Sequence, residues 1–189
     1  GSELTISHTG SLSGSAELYE ALFARTGIIS VSNPSQFLET LKFLCVVGAP
    51  KSKNLVGFTC SGGGATMLAD YAEKIDLSFL SVDPVQEIEL AALLPKIATV
   101  SNPLDYTTPI WGQEDLTYPV FSKAILAVEA GSAVLVQDYP AEGLDNSKVF
   151  YQRDAIAFAR ATKESGLPAA ICATIPENMD IETRQLLIS

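Results

Sequence analysis

Leu55-Val56-Gly57-Phe58-Thr59-Cys60-Ser61-Gly62-Gly63-Gly64-Ala65-Thr66 joins an apolar run to a helix through a serine and three glycines. Residues 55–59 are largely apolar at successive positions, the pattern of a strand covered on both faces. A helix is expected over 65–74. The glycines suit a tight turn, and they equally leave backbone N–H groups open to an anion at a helix start. Ser61, Gly62, Gly63 and Gly64 are therefore candidate phosphate-binding residues, with a purely steric role as the alternative. The stretch has neither the Gly-Lys-Ser/Thr of a P-loop nor a full dinucleotide fingerprint.

The same strand-to-helix grammar runs on toward the C-terminus. Further strands are expected at 77–80, 97–100, 133–137 and 169–174. The helices between them begin at Asp83-Pro84-Val85-Gln86, at about Asp115, and at Phe150, the last with Phe150, Ile156, Phe158 and Ala161 facing inward. Pro119 is tolerable only near the start of its helix, and Asp180 is placed to cap a final one. A long loop is expected over 101–114. Alternating β and α segments with unbroken apolar strands mean an α/β fold. The specific expectation is a flavodoxin-like, doubly wound parallel sheet of about five strands. Before it, Asn33-Pro34-Ser35-Gln36 starts a helix with Asn as N-cap and Pro at its first position, carrying Phe37, Leu38, Leu41, Leu44 and Cys45. The break at 48–53 reads as the way into the sheet.

Composition narrows the function classes. A net charge of −10 opposes general binding to nucleic acid or anionic membrane. No apolar run reaches the roughly 20 residues of a membrane span. Cys45, Cys60 and Cys172 lack metal-ligand spacing and suit buried thiols in a reducing compartment. A cytoplasmic protein with no metal site is expected.

Ser7-His8-Thr9-Gly10-Ser11-Leu12-Ser13-Gly14 contains the one histidine of the chain. A helix over 17–25 follows, with Gly14 as expected N-cap and Gly27 as its stop, then Ile28-Ile29-Ser30-Val31 as a short strand. A neutral imidazole is a nucleophile with a pKa near neutrality. The small residues Thr9 and Gly10 beside it would let a phosphate approach. An ordinary surface histidine is the competing reading.

These residues carry a resemblance. The Ser-His-Thr-Gly motif, followed by Leu18-Tyr19-Glu20-Ala21-Leu22-Phe23 and Gly27-Ile28-Ile29, resembles the phosphohistidine segment of the NDP-forming (ADP-forming) acyl-CoA synthetases, relatives of succinyl-CoA synthetase. Thr59-Cys60-Ser61-Gly62-Gly63-Gly64 resembles the family's Asn-Ser-Gly-Gly turn, with Cys60 in place of the amide donor. Ser101-Asn102-Pro103-Leu104-Asp105-Tyr106-Thr107 resembles its Gly-Asn-Pro-Val-Asp-Leu-Thr segment. On physical grounds Asn102 and Asp105 are loop architecture first and substrate-side contacts second.

The resemblance implies that residues 1–31 are the end of a succinyl-CoA-ligase-like phosphohistidine domain, a fragment of a second α/β domain. Residues 32–189 would be the following flavodoxin-like domain, truncated at its C-terminus. It implies a catalytic role for His8, and CoA, ADP or ATP, phosphate and Mg2+ as ligands of the full enzyme. Acyl-CoA would be the substrate, and CoA-binding and ATP-grasp domains the partners, in a homo- or hetero-oligomer. The alternatives are a non-catalytic anion-binding module and the degenerate synthetase module of a protein acetyltransferase. Trp111 is either a surface anchor or a cover for a neighbouring domain or acyl group. The loop at 138–143 reads as solvated, as do Lys51, Lys53 and Lys123.

Overall fold

A computed structural model describes residues 15–188. His8, Thr9, Gly10 and the expected N-cap Gly14 lie outside them. The chain divides after Val46 into two units.

In the first unit, helix α1 spans Ala16–Thr26 and is capped by Ser15, whose side chain accepts from the Leu18 N–H. Serine supplies the cap oxygen that glycine lacks, so the N-cap lies one residue beyond the expected Gly14. Gly27 ends the helix at φ 70°. Residues 28–31, expected as a strand, pair with no strand among the described residues: the Ile28 N–H donates to the Phe23 carbonyl at 3.0 Å, and Ile28 and Ile29 are exposed. Helix α2 spans Pro34–Val46. Its start is a reciprocal cap, in which Asn33 Oδ1 accepts from the Gln36 N–H at 2.9 Å and Gln36 Oε1 accepts from the Ser32 N–H at 2.8 Å. Neither helix buries a residue.

The second unit holds a five-stranded sheet, parallel at every pairing. Strand β1 (Asn54–Thr59) leads into α3 (Gly62–Lys74), β2 (Ser78–Phe79) and α4 (Pro84–Ala91). Then come β3 (Leu104–Asp105), α5 (Glu114–Ala127), β4 (Ser132–Gln137), α6 (Lys148–Ser165), β5 (Ala169–Ala173) and α7 (Ile181–Ile188). The order is β2-β1-β4-β5, with β3 also on β1. Pro119 sits in the second turn of α5, and Asp180 Oδ1 accepts from the Thr183 N–H at 2.7 Å to cap α7. The flavodoxin-like expectation is met.

Strand β1 is the hinge of the packing. Val56 and Phe58 point to one face, where Phe58 meets Phe121 of α5 and Phe158 of α6 edge-on at 4.9 and 5.8 Å between ring centres. Gly57 points to the other face, where α3 crosses. A Cβ at Gly57 would come within 2.9 Å of Leu68 of α3 and 2.8 Å of Phe79, so only glycine allows that approach.

The third strand departs from expectation. Residues 97–100 pair with no strand among the described residues; the Ala98 N–H donates to the Pro95 carbonyl at 2.9 Å, and Ile97 is exposed. The reason is that β2 and β3 share one edge of β1, pairing at Asn54–Leu55 and at Phe58–Thr59 respectively. Between them the partner of β1 is a side chain. Asn102 Oδ1 accepts from the Gly57 N–H at 3.0 Å, and its amide donates to the Leu55 carbonyl at 2.8 Å and the Leu80 carbonyl at 3.0 Å. The chain needs no backbone strand before Asn102, and β3 starts after the cis Asn102–Pro103 bond, inside the expected loop.

In α6 the inward face is Tyr151, Asp154, Ala155, Phe158, Ala161 and Thr162; Phe150 and Ile156 are on its exposed side. Cys45 and Cys172 are exposed and Cys60 half-buried, against the expectation of three buried thiols. Among the described residues no helix is long and apolar enough to cross a membrane.

Asn102→Ala removes three hydrogen bonds and leaves part-buried backbone groups of β1 unpaired. The expected loss is about 2–4 kcal/mol, read as a lower urea midpoint at unchanged m-value.

Candidate functional site: the crevice between β1 and β4

The chain leaves β1 for β2 and β3 on one edge and returns to β4 on the other. That reversal opens a crevice at the carboxyl ends of β1 and β4, the usual ligand position in doubly wound sheets. The Ser61–Gly64 turn sits there. Ser61 is the N-cap of α3, and its Oγ accepts from the Gly64 N–H at 3.1 Å. The helix starts at Gly62, so the glycines are its first turn and not a loop before it. By helix geometry the Gly62 and Gly63 amides have no acceptor within α3, and both residues are exposed. They meet the requirement for a phosphate: free donors at the positive end of a helix dipole.

Asp105 forms the adjoining wall. Its Oδ1 accepts from the Thr107 N–H at 2.9 Å, and a Cβ on Gly62 would stand 3.5 Å from its Oδ2. Asn102 builds this wall without facing the crevice, because its amide is engaged with β1 and Leu80. Thr107 is held at φ 66°, uncommon for a β-branched residue, and its buried hydroxyl has no hydrogen-bond partner among the described residues.

The crevice is acidic. Burial first, then the charges of Asp138, Asp154 and Asp105, push the Cys60 thiol up to about 11. A thiol so raised is no nucleophile at neutral pH. Asp154, fully buried, accepts from Tyr106 Oη at 2.9 Å and from the Gly112 N–H at 3.0 Å. Its burial outweighs these bonds and raises its pKa to about 6. Tyr106 is itself pushed well above the usual tyrosine range by burial and by Asp154.

Among the described residues no group of three or more His, Cys, Asp or Glu could hold a metal ion. Trp111 packs on Phe150 and Tyr151 at 5.2 and 4.9 Å, with its Nε1 buried and without a hydrogen-bond partner among the described residues. Asp138 and Glu142 are exposed. Lys51 donates to the Gly166 carbonyl at 3.0 Å, and Lys53 and Lys123 pair with Asp76 and Glu89. Sequence reasoning missed Asp154 and Thr107. For Asp154 the signal was present: it shares the helical spacing of Tyr151, Phe158, Ala161 and Thr162 on a face otherwise fit for burial.

Residues 1–44 match the family described as succinyl-CoA ligase like flavodoxin domain. The chain is 31% identical over 114 residues, 60% of its length, to the acetate–CoA ligase [ADP-forming] II subunit alpha of Pyrococcus furiosus. Over that stretch the chain is similar to ADP-forming acyl-CoA synthetases. Over 93% of its length the chain is also 25% identical to a trans-feruloyl-CoA synthase from an unknown prokaryotic organism. It spans about a quarter of the length of each of these relatives. Its fold matches a Ca. Korarchaeum cryptofilum dinucleotide-forming acetyl-coenzyme A synthetase solved with phosphate and ADP. That match has a TM-score of 0.76 and 21% identity, covering 100% of this chain and 40% of the other.

Asp154 sets a pH dependence. Its folded value of about 6 lies above the ordinary 3.8, so the native state binds the extra proton between the two. Stability is then highest below that window and falls as pH rises through about 6. Asp180, lowered to about 2 chiefly by its hydrogen bond with Lys148, acts only in strong acid. The urea midpoint is expected to be higher at about pH 5.5 than at about pH 7.5, and Asp154→Asn to flatten that slope.

Proposed function

We propose that this chain serves an acyl-CoA synthetase that interconverts acyl-CoA, ADP and phosphate with a carboxylic acid, CoA and ATP through a phosphohistidine at His8. In this reading residues 1–31 are the end of the phosphohistidine domain and 32–189 the flavodoxin-like domain. The observation that carries it is the start of α3, which presents two amides without an acceptor in the helix, among the described residues, at the switch point of the sheet.

The chemistry proceeds in three displacements. A phosphate oxygen attacks the acyl carbon of acyl-CoA and the CoA thiolate leaves. A neutral imidazole nitrogen of His8 attacks phosphorus of the acyl phosphate, and the carboxylate leaves. A terminal oxygen of ADP then takes the phosphoryl group and frees the imidazole. Phosphoryl transfer of this kind depends on alignment and charge neutralisation. In a chain of net charge −10 the neutralisation must be local. At the sheet, Gly62 and Gly63 are assigned to hold a phosphate group as N–H donors, with the Ser61 cap fixing their direction; Thr9 and Gly10 are assigned to phosphate access at His8. CoA and the Mg2+ nucleotide are assigned to the partner CoA-binding and ATP-grasp domains, and the compartment to the cytoplasm.

His8→Ala and His8→Asn in the complete enzyme are expected to abolish ATP formation and acid-labile protein phosphate while the circular dichroism spectrum stays unchanged. ATP formation near the wild-type rate in either variant would refute the mechanism.

Gly63→Asp tests the cradle separately. A Cβ at Gly63 meets nothing closer than Ser61 Oγ at 3.8 Å, and an acidic residue in a first turn suits the helix. The variant should melt no lower than wild type, yet its KM for phosphate should rise about tenfold or more, a loss of roughly 1.4 kcal/mol. An unchanged KM would remove phosphate from this turn.

A further inference from the structure

Between Tyr106 and Gly112 the chain leaves the sheet, passes the strained Thr107, makes a 3-10 turn over Thr108–Ile110 and returns at Trp111. Both ends of this loop are fastened to one group. Asp154 Oδ2 accepts from Tyr106 Oη and Oδ1 from the Gly112 N–H, while the Tyr106 N–H donates to the Thr59 carbonyl at 3.0 Å. Gly112 reaches Asp154 because it has no side chain: a Cβ there would stand 2.9 Å from the Phe150 Cα. Burying a carboxylate without a cation is costly, and among the described residues no lysine or arginine bonds to it. Packing alone does not call for a charge in that position.

We propose that Asp154 is a positioning residue of the crevice, holding loop 106–112 so that Asp105 and Thr107 form a fixed wall beside the Ser61–Gly64 turn. This rests on the reading of that turn as a phosphate site. The groups that share the field of Asp154 are Cys60 at the end of β1, Tyr106 in the loop, Tyr139 after β4 and Tyr151 on α6 itself. None of them titrates between pH 5 and 8, so a transition there reports the carboxylate.

Trp111, the one tryptophan of the chain, adjoins Gly112 and reports the loop by fluorescence. Its emission is expected to change with a midpoint near pH 6 in wild type, to lose that change in Asp154→Asn, and to shift the midpoint upward in Tyr106→Phe. His8→Ala should leave the transition in place. In the complete enzyme Asp154→Asn and Tyr106→Phe should each raise the phosphate KM several-fold more than they lower kcat. The double variant should be no worse than the more damaging single one, since both act through one contact. A wild-type-like transition in Asp154→Asn, or an unchanged phosphate KM in both variants, overturns the proposal. Absence of phosphohistidine in the wild-type enzyme would sink the reaction and not this assignment, which the fluorescence of the chain then decides alone.

Discussion

The second unit depends on how one edge of β1 is shared. One side of the strand is paired along its length with β4; the other serves β2 at its start and β3 at its end. A strand edge cannot change partners without leaving backbone groups facing a gap, and unpaired buried groups are costly. The Asn102 amide closes that gap by imitating a peptide unit, with one carbonyl to accept from Gly57 and one NH2 to donate to Leu55 and Leu80. Everything after it follows from this placement. β3 enters in register at Leu104, Asp105 comes to stand beside Gly62, and the loop to Gly112 acquires a fixed origin.

The chemistry of the crevice is shaped by opposed fields. The amides of Gly62 and Gly63 and the dipole of α3 attract an anion, while Asp105, Asp138 and Asp154 make the surroundings negative. Burial first, and then these carboxylates, keep the Cys60 thiol protonated at neutral pH. Donors of this kind act on an anion over a short range, against the charge around them.

The candidate site was legible in parts. Ser61–Gly64 stands out because consecutive glycines after an apolar strand have few explanations, and the structure differs only in making them helical. Asn102 and Asp105 were legible as loop architecture from the Asn-Pro step and the nearby carboxylate. Ile97–Val100 misled because a β-branched, apolar run reads as a strand wherever it occurs, while pairing depends on a free edge. Phe150 and Ile156 misled for the kindred reason that hydrophobicity does not tell which side of a helix meets the core.

What the sequence by itself determined is local and periodic. The β/α alternation, the caps at Asn33, Asp83 and Asp180, and the glycine start of α3 rest on interactions within a few residues, so they can be read along the chain. Tertiary structure decided what depends on residues far apart. Asn102 works as a surrogate strand only where β2 and β3 leave a vacancy on β1. Asp154 becomes a buried anchor only because Tyr106 and Gly112, more than forty residues earlier, fold back onto α6. Hydrogen bonds between distant residues are set by which edges and faces the packed sheet leaves unsatisfied, and no local pattern encodes that.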